Sequence, residues 1–218
     1  MRPTLRLGRI AGIEVGVHWS LLLIGALLVT ALAGDLFPEV APHSEGSYWA
    51  AAIIATALFF VSILAHELSH AVVARRRGQR VGGITLWALG GVAMLKDEAR
   101  DAKSELLVAA AGPAMSIAVG GGFVALGFGL DAVTANGSLL PAIAFYLGVV
   151  NLVLAAFNLL PGAPLDGGRI LSGAIWAVRK DHRRAQIAAA KAGRVLGFLL
   201  IGVPFVELML GWGFNPWT

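Results

Sequence analysis

The pentapeptide His66-Glu67-Leu68-Ser69-His70 sets two imidazoles and a carboxylate inside an otherwise apolar stretch that runs from Ile53 to Val73. On a helix, positions i and i+4 share a face, so both imidazoles can reach a single zinc ion. Glu67 lies about 100° around the helix from His66, where it can contact a water on that ion and act as its general base. The chemistry this spacing proposes is hydrolysis by an activated water. A pair of histidines hydrogen-bonded to neighbouring helices is the competing reading, but ionisable groups are rare in apolar spans without a functional role.

A zinc hydrolase needs a third protein ligand and one open position. The chain has no cysteine, which excludes disulfides, a thiolate ligand and a cysteine nucleophile, and leaves His and carboxylate as the available donors. The metzincin motif would require Gly at 73 and His at 76, where Val73 and Arg76 stand. A thermolysin-like acid about 20 residues beyond meets only Asp97 and Glu98, in a run with Lys96, Arg100, Asp101 and Lys103 that reads as a solvated charge cluster. Asp166 is the remaining candidate, in the segment Asn158-Leu-Leu-Pro-Gly-Ala-Pro-Leu-Asp-Gly-Gly-Arg169. Pro161, Gly162 and Pro164 break a helix there, and freed backbone groups are tolerable at membrane depth only when buried in protein or lining a wet cavity. Gly167 and Gly168 permit close backbone approach. An ordinary helix-ending turn with Asp166 capping the next helix accounts for the same residues.

The elements that must position these groups belong in a bilayer. Hydrophobic residues make up 57% of the chain, charged residues 14%, and the mean hydropathy is +0.77, far from the averages of soluble domains. Apolar runs of spanning character lie at about 19–33, 49–73, 106–130, 139–160 and 195–210. Every Lys and Arg falls in Arg2 to Arg9, Arg75 to Lys103 or Arg169 to Arg194, and the alternate connections carry none. That pattern predicts five crossings with the N-terminus in the cytoplasm. The pI near 10.0 is then a consequence of orientation signals, and no basic surface is left over for nucleic acid. His66 precedes Arg75 by nine residues, which places it about 13 Å inside the cytoplasmic helix end, on the same side of the bilayer as Asp166.

With both motifs placed, the chain resembles a family. His66-Glu67-x-x-His70 in the second span, joined to Asn158-x-x-Pro161-x-x-x-x-Asp166-Gly167, resembles the site-2 protease family of intramembrane zinc metalloproteases. Leu89-Gly90-Gly91-Val92-Ala93 and Ala111-Gly112-Pro113 extend the similarity over most of the chain. The resemblance implies one Zn2+ per chain held by His66, His70 and Asp166, with Glu67 activating water. It also implies that Asn158 positions substrate or stabilises the oxyanion, with helix capping around Pro161 as the alternative. The implied partners are the lipid bilayer and transmembrane protein substrates, such as a membrane-bound anti-sigma factor or signalling protein, cut in regulated intramembrane proteolysis at the cell's inner (cytoplasmic) membrane. Members commonly have six core spans and further soluble modules. Residues 1–218 therefore read as a single membrane-embedded metalloprotease core, short of a sixth span and of C-terminal soluble domains, and nearest in layout to the subgroup that carries CBS domains.

The fold expected is an all-α polytopic membrane bundle with a small cytoplasmic-side reentrant β hairpin or sheet. Val81 to Leu95 supplies that element, being rich in β-formers punctuated by Gly pairs. Its edge strand, with Ile84 to Leu86 as the stretch to test, is expected to pair with an unwound substrate segment, or else the hairpin simply plugs the bundle. His18, His43 and His182 read as solvated or interfacial, with His18 or His43 available for an open zinc position. Glu207 reads as interfacial. Gly193-x-x-x-Gly197 and Gly120 to Gly122 are candidate close helix contacts. Two other classes compete with the protease: a proteolytically inactive membrane binding protein or chaperone, and a small metal transporter, which would be expected to show repeated halves that this sequence lacks.

Overall fold

The computed structural model describes residues 3–40, 42–88, 90–134 and 137–209, apart from the side chains of 203–208. The expectations on Leu89, Glu207, Leu210 and the tail from Gly211 lie outside the described residues. The element order is β1 (Leu5–Ile10), β2 (Ile13–Val17), α1 (Ser20–Ala31), a π-helical turn (Leu32–Leu36), α2 (Phe37–Val40), α3 (Glu45–Arg76), β3 (Val81–Trp87), β4 (Gly90–Leu95), α4 (Ala102–Val133), α5 (Leu139–Asn158), α6 (Asp166–Arg179) and α7 (His182–Met209). Among the described residues five helices are long and apolar enough to cross a membrane: Ser20–Val40, Glu45–Arg76, Ala102–Val133, Leu139–Asn158 and His182–Gly202.

Polar residues at the starts of the long helices meet the amide groups that a helix leaves unpaired. Ser44 accepts from the Ser47 amide ahead of α3, Asp101 from the Ser104 amide ahead of α4, and Ser138 from the Leu140 amide ahead of α5. The packing is inverted relative to a water-soluble core. Buried positions on α3 are mostly small, including Ala51, Ala52, Ala55, Ala71 and Ala74, while Leu22 and Phe198 are each 77% exposed and Val61 and Val153 each 60%. Large aliphatic side chains facing outward suit lipid, and small ones inside let helix backbones approach.

The closest such approach in the span bundle joins α4 to α5. A Cβ on Gly120 would stand 3.0 Å from the Gly148 carbonyl oxygen, and one on Gly148 would stand 3.2 Å from the Gly120 carbonyl oxygen. Gly121 and Gly122 face open space, as does Gly197, whereas a Cβ on Gly193 would collide with Ala163. Each expected glycine pattern thus contributes one close contact.

The β element is larger than the hairpin expected over 81–95. β1 and β2 form an antiparallel hairpin around Ala11 and Gly12, both at positive φ (50° and 74°), the conformation that two-residue hairpin turns favour. β2 then pairs in parallel with β3, giving a sheet of order β1-β2-β3-β4. Ile84 to Leu86 therefore lie on an interior strand paired on both sides, and the free edge beside the helices belongs to β4. That corrects the stretch expected to meet a substrate. Ile13, Ile84 and Leu86 bury the sheet against Ile63 and Ala71 of α3, at the level of the pentapeptide.

Replacing Gly148 by Ile is expected to lower stability by about 1–3 kcal/mol through overpacking, read as a lower Tm in detergent. Gly121→Ala, which meets no neighbour, is expected to leave Tm unchanged or raise it slightly.

Candidate metal centre

His66 and His70 project from one face of α3, and both are buried. Asp166 reaches them from another part of the chain because α6 begins pressed into the turn that follows α5. A Cβ on Gly167 would collide with the carbonyls of Leu159 and Leu160, and one on Gly168 with the backbone of Gly162 and Ala163. Bare backbone at both positions seats the first turn of α6 deeply enough for the Asp166 carboxylate to meet α3. The helix-cap alternative is incomplete, since Asp166 is the first helical residue and Leu165 occupies the cap position.

Three atoms converge. Asp166 Oδ2 lies 3.2 Å from His66 Nε2 and 3.1 Å from His70 Nε2, and the two Nε2 atoms are 3.2 Å apart. Ligands about 2.0–2.2 Å from a tetrahedral zinc ion are separated by about 3.3–3.5 Å, so this triangle is close to the size of one face of a zinc coordination shell. The far side of each ring is also fixed. His70 Nδ1 donates to the Val108 carbonyl at 2.6 Å, and His66 Nδ1 is 2.9 Å from Ser116 Oγ. A carbonyl only accepts, so the proton of a neutral His70 resides on Nδ1 and its Nε2 presents a lone pair. Lone pairs of nitrogen and a carboxylate oxygen then face one another in a buried space, an arrangement that calls for a cation. Outer hydrogen bonds of this kind orient metal-ligating histidines.

Helix α4 supplies both the room and the outer partners. A Cβ on Gly112 would collide with the Nε2 atoms of both histidines, so the missing side chain leaves the space in which an ion would sit. Pro113 follows inside the helix, where it cannot donate to the Ala109 carbonyl and crowds that turn. The loosened turn adjoins the Val108 carbonyl that receives His70.

Glu67 stands beside the triad under the sheet. Ala93 of β4 lies close by, and a Cβ on Gly91 of the same strand would collide with the Glu67 side chain. The strand therefore lies directly on the acid. Asn158 ends α5 with its side-chain amide donating to the Leu154 carbonyl of the same helix at 3.0 Å, and no hydrogen bond links it to the triad among the described residues. His18 and His43, for which an open zinc position was the alternative to an interfacial place, do not join the cluster: His18 Nδ1 is 2.8 Å from Ser20 Oγ, and His43 Nε2 meets the Gly137 carbonyl at 2.7 Å.

Sequence reasoning missed two outer partners and misread one histidine. Ser116, four positions from Gly112, and the Val108 carbonyl support the ligand rings; only the inward face shared by Gly112 and Ser116 on an i, i+4 spacing hinted at this. His182 is not simply solvated. Its ring stacks on Trp176 with centroids 4.1 Å apart, and its Nε2 lies 3.1 Å from the buried Glu105 carboxylate.

A family model for peptidase family M50 matches residues 54–139 and 121–200. The chain is 45% identical over 215 residues to the protein named Rip3 of Mycobacterium tuberculosis, covering 97% of this chain and 53% of that protein. It is 30% identical over 201 residues to zinc metalloprotease MJ0392 of Methanocaldococcus jannaschii, covering 92% of this chain and 54% of that one. The chain thus spans about half the length of these curated relatives. Among solved structures, the site-2 protease from Methanocaldococcus jannaschii superposes with a TM-score of 0.62 at 31% identity, covering 94% of this chain and 88% of that one.

Ser116→Ala is expected to weaken zinc binding by about 10–100-fold, the usual effect of losing an outer hydrogen bond to a ligating histidine, measured by competition with a chromophoric chelator. Gly112→Val is expected to abolish stoichiometric zinc while the helical circular dichroism signal persists.

Proposed function

The chain belongs to peptidase family M50, the site-2 proteases, and on that premise we propose that it is an intramembrane zinc metallopeptidase cutting membrane-spanning segments of regulatory proteins. The observation that carries this reading is the convergence of His66 Nε2, His70 Nε2 and Asp166 Oδ2 inside a bundle of apolar helices, with Glu67 alongside. These three residues would hold one Zn2+. When bound, zinc supplies Lewis acidity toward a scissile carbonyl and an attacking water.

The remaining chemistry belongs to the protein. Glu67 takes a proton from the attacking water and delivers it to the departing amine, the two transfers that peptide hydrolysis requires of one acid and base. Gly91 of β4 packs against the Glu67 side chain, and the strand above it excludes lipid tails. The free edge of β4 offers unpaired amide and carbonyl groups to an extended substrate backbone, which a helix must become before it can be cut. Asn158 is assigned the oxyanion, for which its amide would exchange the Leu154 carbonyl for the substrate. Its loss should then lower kcat by about 10²–10³.

The orientation follows from charge. All Lys and Arg lie in segments at one end of the spans, so the N-terminus, the sheet and the metal centre belong on or near the cytoplasmic side of the inner membrane. Transmembrane anti-sigma factors and related signalling proteins are the substrate class, and cleavage near this face releases a fragment to the cytoplasm. Retention of Glu67 beside three ligands disfavours an inactive binding protein, and a transporter has no use for an acid poised over a closed metal triad.

The test is cleavage of a panel of candidate transmembrane segments in detergent and in liposomes. Glu67→Gln is expected to retain about one zinc per chain and to lower the cleavage rate by at least about 10²–10⁴-fold. Full cleavage by the Gln variant would overturn the assignment.

A further inference from the structure

A cavity of about 1030 Å³ opens beside the metal centre, between β4 on one side and α6 and α7 on the other. Its walls approach the centre at two points: Ala93, on the strand that lies over Glu67, and Gly168, two residues beyond Asp166. Ser172 and Gln79, two residues of its lining, are only 3% and 4% exposed, and among the described residues Ser172 Oγ and Gln79 Oε1 have no hydrogen-bond partner. A buried donor or acceptor in that condition is costly unless something else meets it. β4 adds a row of edge amides and carbonyls along the same cavity.

The charges on the walls are unequal in their pairing. Asp97 is held by two hydrogen bonds from Arg80, at 2.6 and 3.0 Å to its two oxygens. Glu105 and Glu98 both face His182, at 3.1 and 3.8 Å. Lys96 and Arg169 also line the cavity, and among the described residues neither has an ion pair or a side-chain hydrogen bond. The acids of the lining are thus paired within the protein, whereas Lys96 has only a longer-range attraction to Glu14 and Arg169 has no ion pair among the described residues.

We propose that this cleft binds the substrate segment that continues from the scissile bond toward the basic end of the bundle, in extended form, with Lys96 and Arg169 selecting acidic side chains. The edge amides and carbonyls of β4 meet main-chain groups of the segment, being complementary to the alternating donors and acceptors of extended backbone. Arg169 supplies a planar fork suited to a carboxylate. The assignment rests on the peptidase reading for the identity of its ligand, and it adds a preference that the metal centre cannot impose.

The test reads binding and not cleavage, so failure of the cleft and failure of the peptidase reading give different results. The probes are two fluorescein-labelled peptides of about ten residues, alternating Thr and Val, one with two central Glu and the other with two central Lys. Anisotropy is measured on the zinc-loaded full chain in a neutral detergent. The Glu peptide is expected to bind about tenfold more tightly than the Lys peptide. Lys96→Glu and Arg169→Glu should each erase or reverse that preference. Zinc content reports folding of each variant, and Lys96→Glu, far from the ligands in sequence, carries the test where Arg169→Glu does not fold. Equal affinity for the two peptides, or a preference that survives Lys96→Glu in a zinc-replete protein, would overturn the proposal.

Discussion

Two imidazoles and a carboxylate brought together away from water are the constraint on which this structure depends. Each of these groups is expensive to bury alone, and three polar atoms converging on one point are worse than any one of them. The chain meets that cost from several directions. Val108 and Ser116 fix the far sides of the histidine rings, Gly112 leaves space where the lone pairs meet, and Gly167 with Gly168 lets α6 carry Asp166 inward. Together these features specify a site for a cation.

The same arrangement explains the shape of the bundle around it. Small residues line the interior of α3, and glycines set the α4 to α5 contact, so backbones rather than large side chains fill the centre. Close helix packing keeps the ligand-bearing face of α3 within hydrogen-bonding distance of α4. The large aliphatic side chains are turned outward, where lipid is their natural solvent. The sheet breaks this pattern by lying against α3 at the level of Glu67. It brings extended backbone to a site otherwise walled by helices.

Much of the site was legible before the fold was known, because metal chemistry restricts residue types and spacing severely. The i, i+4 histidines and the acid between them could be read directly, and removal of the alternatives left Asp166 as a candidate whose role stayed open. What could not be read was contact across the bundle. Ser116 looks like any small polar residue in a span until α4 is laid against α3, and the Val108 carbonyl has no sequence signature at all. The β1–β2 hairpin has a signal in Leu5, Leu7 and Ile10 with an Ala11-Gly12 turn, but the interleaved Arg6 and Arg9 carry an orientation signal in the same residues. The boundary of α7 shifted for a related reason. Its first turns carry His182, Arg183 and Arg184, so hydropathy alone began the run later at Val195. His182 was misjudged because its partners, Trp176 and Glu105, come from two other helices.

The central claim is that one zinc ion is held by two imidazoles and one carboxylate, with a position left open. X-ray absorption at the zinc edge of the loaded protein tests it most directly. The account predicts a four-coordinate site with two imidazole nitrogens at about 2.0–2.1 Å and oxygen at about 2.0–2.2 Å, losing one imidazole contribution in His70→Ala and keeping both in Asp166→Ala. An all-oxygen shell, a third imidazole, or a spectrum indifferent to His70→Ala would contradict it.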